Sequence, residues 1–168
     1  MYEVDDLIMY GGTGVCKVSD ITTPEFESRE ENRLYYVLEP LYQSGVIYAP
    51  VDNHQVFMRP VISADEANDL IDTIPEVHTE IYKSSSMQQL SKYYQSVLDT
   101  HKCVNLIKLT KSIHAKKLDA EAKNRHLGQI DKKFMKKAED LLFGELAVAL
   151  KISRDDVESY IQQRLETA

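Results

Sequence analysis

Val56-Phe57-Met58-Arg59-Pro60 is followed at once by Val61-Ile62-Ser63-Ala64-Asp65-Glu66, and the chain changes character there. The first stretch is a short apolar run closed by a proline, which reads as a last strand. The second ends in a capping box, in which the Ser63 hydroxyl and the Glu66 carboxylate satisfy orphan N–H groups at a helix start. Upstream, the turn signals are dense and the apolar runs are short. Downstream, the apolar residues recur at helical spacing. Strands first and helices afterwards predict an α+β chain with two parts, residues 1–60 and residues 61–168.

Working back from Pro60, Val46-Ile47-Tyr48-Ala49 reads as a strand ended by Pro50 and preceded by a Gln43-Ser44-Gly45 turn. Proline at that point suits an edge strand or a strand end. Leu34-Tyr35-Tyr36-Val37-Leu38 is the strongest strand signal. Thr22 to Arg33 is polar and acidic, a loop or hairpin tip. Val15 to Ile21 alternates and is rich in β-branched residues, and Leu7 to Tyr10 is an apolar run. Between these last two lies Gly11-Gly12-Thr13-Gly14. It lacks the Gly-Lys-Ser/Thr ending of a phosphate loop and joins two strands, so a tight turn needing positive φ is the expected role. Together these runs predict a small, strongly bent antiparallel sheet of the Tudor or SH3 kind.

Working forward, about five helices are expected. The first runs from Ser63 to about Ile74, before Pro75. A polar connection, Glu76 to Ser84, leads to a second helix with Met87, Leu90, Tyr94, Val97 and Leu98 on one stripe. A third spans about Lys102 to Leu118, with only a partial period because Val104 and Leu109 fall off its Cys103-Leu106-Ile107-Ile113 face. The fourth spans about Ile130 to Leu150. The fifth begins near Ser153 and carries Val157, Ile161 and Leu165.

The 168 residues are 43% hydrophobic and 28% charged, which excludes a disordered or low-complexity chain. Cys16 and Cys103 form no disulfide framework or zinc motif, and Cys16 is expected as a small hydrophobe in a strand. The five histidines show no metal-ligand spacing, and no nucleophile elbow is present. The expectation is a protein with no enzymatic activity, cofactor, metal or small-molecule substrate. Its acidic opening, MYEVDDLIMYGG, is unlike a secretion signal, and no apolar run would span a bilayer, so a cytoplasmic protein without membrane association is expected.

The net charge of −7 conceals a strong asymmetry. Residues 81–137 hold 13 basic and 4 acidic groups, while the stretches on either side are acidic. Such a block points to a polyanion partner better than the overall pI does. Its centre is Lys132, Lys133, Lys136 and Lys137, which span an arc of about 140° on a helix, with Phe134, Met135 and Ala138 outside it. Like charges at i, i+4 repel; Asp140 is placed to offset Lys136, whereas Lys132 and Lys133 have no acidic residue at helical spacing. Tyr93 and Tyr94 lie beside Lys92, with Tyr94 expected in the core.

Val4 to Tyr10, Gly14-Val15, Leu34 to Leu38, Tyr48-Ala49-Pro50 and Asn53 together resemble the N-terminal domain of the CarD/CdnL transcription regulators. That domain is shared with transcription-repair coupling factors. Lys132 to Ala138, followed by Leu141 to Ala147, resembles a helix of the CarD C-terminal domain. The resemblance implies a bacterial transcription regulator. A Tudor-like sheet would bind the RNA polymerase β subunit through Val46, Ile47, Tyr48, Ala49 and Pro50 by β-augmentation. Basic helices would meet promoter DNA through Lys92, Tyr93, Lys132, Lys133, Lys136 and Lys137, mainly at phosphates, and would modulate open-complex stability. Better-known members carry Arg where this chain has Tyr48, and a Trp wedge where it has Leu90, which also lies on a core stripe. Two other readings are a protein-interaction adaptor without DNA binding and an RNA-binding module.

Overall fold

A computed structural model describes residues 1–23, 33–52 and 55–167. The chain divides into two compact units, Met1–Val61 and Ile62–Ala168. The first is a five-stranded antiparallel sheet and the second holds five helices. The α+β layout is therefore the observed one.

The strands are β1 (Leu7–Tyr10), β2 (Gly14–Thr22), β3 (Tyr35–Pro40), β4 (Ile47–Pro50) and β5 (Met58–Pro60), in the order β4-β3-β2-β1-β5. The β1–β2 turn needs its glycines. Gly11 has φ +46° and Gly14 has φ +95°. A Cβ on Gly11 would meet Val56 Cγ1 at 2.9 Å, and the Gly11 N–H donates to the Phe57 carbonyl at 2.8 Å. The glycines thus let the turn lie against the chain entering β5. Between Val18 and Asp20 the β2–β3 register shifts. This bulge bends the sheet, and the Ser19 hydroxyl donates to the Val37 carbonyl beside it. Period-two alternation then buries Ile8, Cys16, Val18, Tyr36, Leu38 and Ala49 as one core. The predicted loop at Thr22 to Arg33, at its residues 24–32, and Asn53 lie outside the described residues.

The helices are α1 (Ala64–Thr73), α2 (Met87–Leu98), α3 (Cys103–Ala122), α4 (Gln129–Leu150) and α5 (Val157–Glu166). The capping box at Ser63 is formed in both directions. Pro75 does not end α1 sharply; a 3-10 turn, Ile74–Glu76, accommodates it at a position where a missing N–H costs nothing. α3 runs four residues past the predicted Leu118. Its partial period also has a cause: Leu109 is buried along with Leu106, Ile107, Ser112 and Ile113, because α2 and α4 both pack on α3. A helix gripped on two sides shows no single stripe. Leu90 and Tyr94 are core, as their spacing implied.

Candidate functional site

β4 lies at one edge of the sheet. It pairs with β3 through Leu38↔Ile47, Val37↔Tyr48, Tyr36↔Ala49 and Tyr35↔Pro50. Among the described residues no strand pairs with its other side. The alternation along it separates the five candidate residues. Ala49 is wholly buried in the core and Ile47 packs against that core. Tyr48 is 47% exposed and Val46, just before the strand, is exposed as well. Ala49 is therefore screened from a partner: its side chain lies in the core, and its backbone faces β3, as does that of Val51, whose N–H donates to the Leu34 carbonyl. Leu34, Leu41 and Tyr42 are also exposed. A strand edge flanked by exposed apolar side chains is equipped to accept another strand, with backbone hydrogen bonds supplying affinity and alternate side chains specificity.

In the helical unit the four clustered lysines, Lys132, Lys133, Lys136 and Lys137, are all exposed on the first turns of α4. Phe134 and Ala138 are buried behind them. The Lys133 and Lys137 ammonium groups lie 5.7 and 5.2 Å from the Phe134 ring centroid, within cation–π range. Their stems thus cover the ring while their heads meet solvent. Lys136 pairs with Asp140 at 2.9 Å, as its spacing suggested. An exposed pair of this kind is worth little and yields readily to a phosphate.

Tyr93 has one ring face already taken. Tyr93 is 40% exposed, and its ring stacks on Tyr82 at 3.9 Å and 16°. Tyr94 and then Phe134 continue the aromatic series inward. Lys92, one residue earlier on α2, is exposed. Other lysines of the basic block serve the fold. Lys111 donates to the Ile74 and Val77 carbonyls at 2.8 and 2.7 Å, Ser112 to the Glu80 carbonyl at 2.9 Å, and Lys116 to the Tyr82 carbonyl at 3.4 Å. This row along α3 straps the 74–82 segment to the bundle. Asp119 takes Lys123 and Lys83, and the Lys123 hydrogen bond chiefly holds its carboxyl below the usual carboxylate range.

Asp131, which no local pattern marked, anchors the end of α4 that bears the lysines. It is 4% exposed. It accepts from the Tyr94 hydroxyl at 2.5 Å and from Lys116 Nζ at 3.0 Å. Burial raises the Tyr94 hydroxyl well above the ordinary phenol value, and the bond to Asp131 raises it further. Tyr94 therefore stays a donor. One carboxylate thus ties α2, α3 and α4 together directly behind the lysine face. The available signal was indirect: a core Tyr needs a partner for its hydroxyl. Glu145 is a second fully buried carboxylate, accepting from the Ile62 N–H at 3.0 Å and the Cys103 thiol at 3.1 Å.

Among the described residues, no group of His, Cys, Asp or Glu is arranged to hold a metal ion. Nor is any helix among them long and apolar enough to cross a membrane. Residues 2–62 match the family model of the CarD-like/TRCF RID domain. The sheet unit is a CarD-like/TRCF RID domain. That family is an RNA-polymerase-interacting module and not an enzyme family. No curated protein matches the chain. Apart from Ile62, the helical unit lies beyond the matched residues.

Proposed function

We propose that the chain is a transcription regulator that holds the β subunit of RNA polymerase by its β4 edge and promoter DNA by the lysine face of α4. The observation that carries this reading is that, among the described residues, β4 pairs on one side only, within a CarD-like RID domain. Val46 and Tyr48 meet the added strand with both side chain and backbone, because alternation turns the Ile47 and Ala49 backbone towards β3. Lys132, Lys133, Lys136 and Lys137 meet phosphates, with Lys92 and Tyr93 completing the contact from α2. Contacts of this type position a protein on a duplex and carry little sequence information.

The two contacts act together on promoter opening. A ligand shifts an equilibrium only by its differential affinity for the two states. If the lysine face meets DNA better in the open complex, a coupling of about 1–3 kcal/mol changes the open-complex equilibrium roughly 5–150-fold. The test is permanganate reactivity of promoter thymines with polymerase, with and without the protein. Reactivity is expected to rise with wild type and to stay at the polymerase-alone level with the quadruple Lys→Gln variant. Equal reactivity with both proteins contradicts the DNA half of the proposal.

A protein-interaction adaptor without DNA binding is the second reading. It is favoured by the internal commitment of Lys111, Lys116 and Lys123. It predicts polymerase binding with no salt-dependent DNA affinity.

A further inference from the structure

A cavity of about 260 Å³ lies between α2 and α3, lined by Thr79, Tyr93, Ser96, Thr100, Asn105, Lys108 and Ser112 over an apolar floor of Val97 and Leu109. Its size falls just below the ~300–1,000 Å³ of drug-sized ligand sites, so it suits a single ring system. Its composition is uncommon for a packing defect. The Ser96 hydroxyl donates to the Tyr93 carbonyl at 2.6 Å and the Ser112 hydroxyl to the Glu80 carbonyl at 2.9 Å. Thr100 donates to the Val97 carbonyl, and Asn105 Nδ2 donates to Thr100 Oγ1. The hydroxyl protons are spent, so Ser96 and Ser112 offer the cavity acceptor lone pairs, and so does Asn105 Oδ1. Tyr93, braced by Tyr82, supplies an aromatic wall. Lys108, exposed, supplies a cation at the mouth.

We infer that this cavity takes one unstacked nucleotide of a single DNA strand, with its base against Tyr93 and its phosphate at Lys108. An aromatic wall beside a cation is the general apparatus for single-stranded nucleic acid. The acceptor lining adds a preference that stacking alone lacks. A base with an exocyclic amino group donates into the site, so cytosine is favoured over thymine, which presents a carbonyl oxygen at the corresponding edge. The inference rests on the DNA-contacting reading of the helical unit and deepens it: Tyr93 joins the cavity to the α2 contact surface.

The test measures anisotropy of labelled dC8, dT8 and a duplex with the full chain, its Ser96→Phe and Lys108→Gln variants, and free dCMP as competitor. Ser96 is exposed and bonds only to its own helix, so Ser96→Phe fills the cavity without disturbing the core. The expected result is dC8 bound about 5-fold tighter than dT8, the difference one hydrogen bond supplies. Ser96→Phe abolishes that preference, Lys108→Gln weakens both strands, and duplex affinity is unchanged in both variants. Equal affinity for dC8 and dT8, or a preference that survives Ser96→Phe, overturns the inference. Duplex binding without the dC8 preference removes the cavity and leaves the lysine face standing. The dC8 preference without duplex binding does the reverse. Cavity-dependent binding of dCMP without dC8 binding overturns the strand as the source of the nucleotide.

Discussion

Replacing lysines on α4 one at a time gives a prediction with a countable magnitude. Each phosphate neutralised on a duplex contributes about −0.9 to the slope of log affinity against log salt. On the α4 face alone, with Lys92 of α2 adding its own share, four exposed lysines stand, but Lys136 is held by Asp140 at 2.9 Å. With Lys136 wholly withheld, three contacts give a slope of about −2.7, and with it released four give about −3.6. Between 50 and 200 mM salt, affinity therefore falls about 40-fold in the first case and about 150-fold in the second. Lys132→Gln and Lys133→Gln should each flatten the slope by about 0.9. Lys136→Gln should flatten it less, because its ammonium is shared. Asp140→Asn should tighten binding and steepen the slope towards four contacts. The assay is fluorescence anisotropy of a labelled duplex across a potassium chloride series. Slopes that stay unchanged in Lys132→Gln and Lys133→Gln, or a wild-type affinity indifferent to salt, would refute the assignment of this face to phosphates.

Asp131→Asn strips the charge from the carboxylate that faces Lys116 and Tyr94, and should destabilise the helical unit by about 2–3 kcal/mol, less than a fully buried pair because Lys116 is partly exposed. Circular dichroism should show a Tm lower by on the order of 10 °C; an unchanged Tm would remove Asp131 as an anchor. The hydrogen bond from Arg164 holds the Asp72 carboxyl below its usual range. A depressed folded-state value means that the stabilisation is present above the unfolded carboxylate value and is lost as pH falls through the folded one. Denaturant titrations from pH 5 down to 2 should therefore show a smaller acid loss in Asp72→Asn than in wild type. Burial pushes the Cys16 thiol up to about 11, so in the native protein at pH 8 it should resist alkylation and react fully only in denaturant. Mass spectrometry of native Cys16 that reads rapid labelling would contradict its place in the sheet core.

The parts of this account that were legible in the sequence are those set by local spacing. Gly11 and Gly14 announced a turn because positive φ is a property of single residues. Ser63 and Glu66 announced a helix start because a capping box needs only four residues. The exposed arc of Lys132, Lys133, Lys136 and Lys137 followed from 100° per residue alone. What stayed hidden depends on contacts between distant positions. Asp131 meets Lys116 on another helix and Tyr94 further back still, and no period relates them. Lys111 and Lys116 look like charge for a polyanion, yet they hold main-chain carbonyls of the 74–82 segment, a 3-10 turn followed by irregular chain. Tyr93 looked available for stacking because its partner, Tyr82, sits in that same segment. Ala49 reads as a contact residue beside Tyr48, but strand alternation turns it inward. The cavity between α2 and α3 was equally unreadable, since its walls come from two helices and the strap.

The central claim is that the β4 edge holds polymerase. Its most direct test is biolayer interferometry of the full chain against core RNA polymerase, comparing wild type with Val46→Asp/Tyr48→Asp. Both side chains are exposed, so the fold should persist and circular dichroism should be unchanged. The account predicts that wild type binds and that the double variant loses at least 10-fold in affinity, since two charges then meet an apolar strand partner. Equal binding by the two proteins would place the polymerase contact elsewhere on the domain and contradict the account.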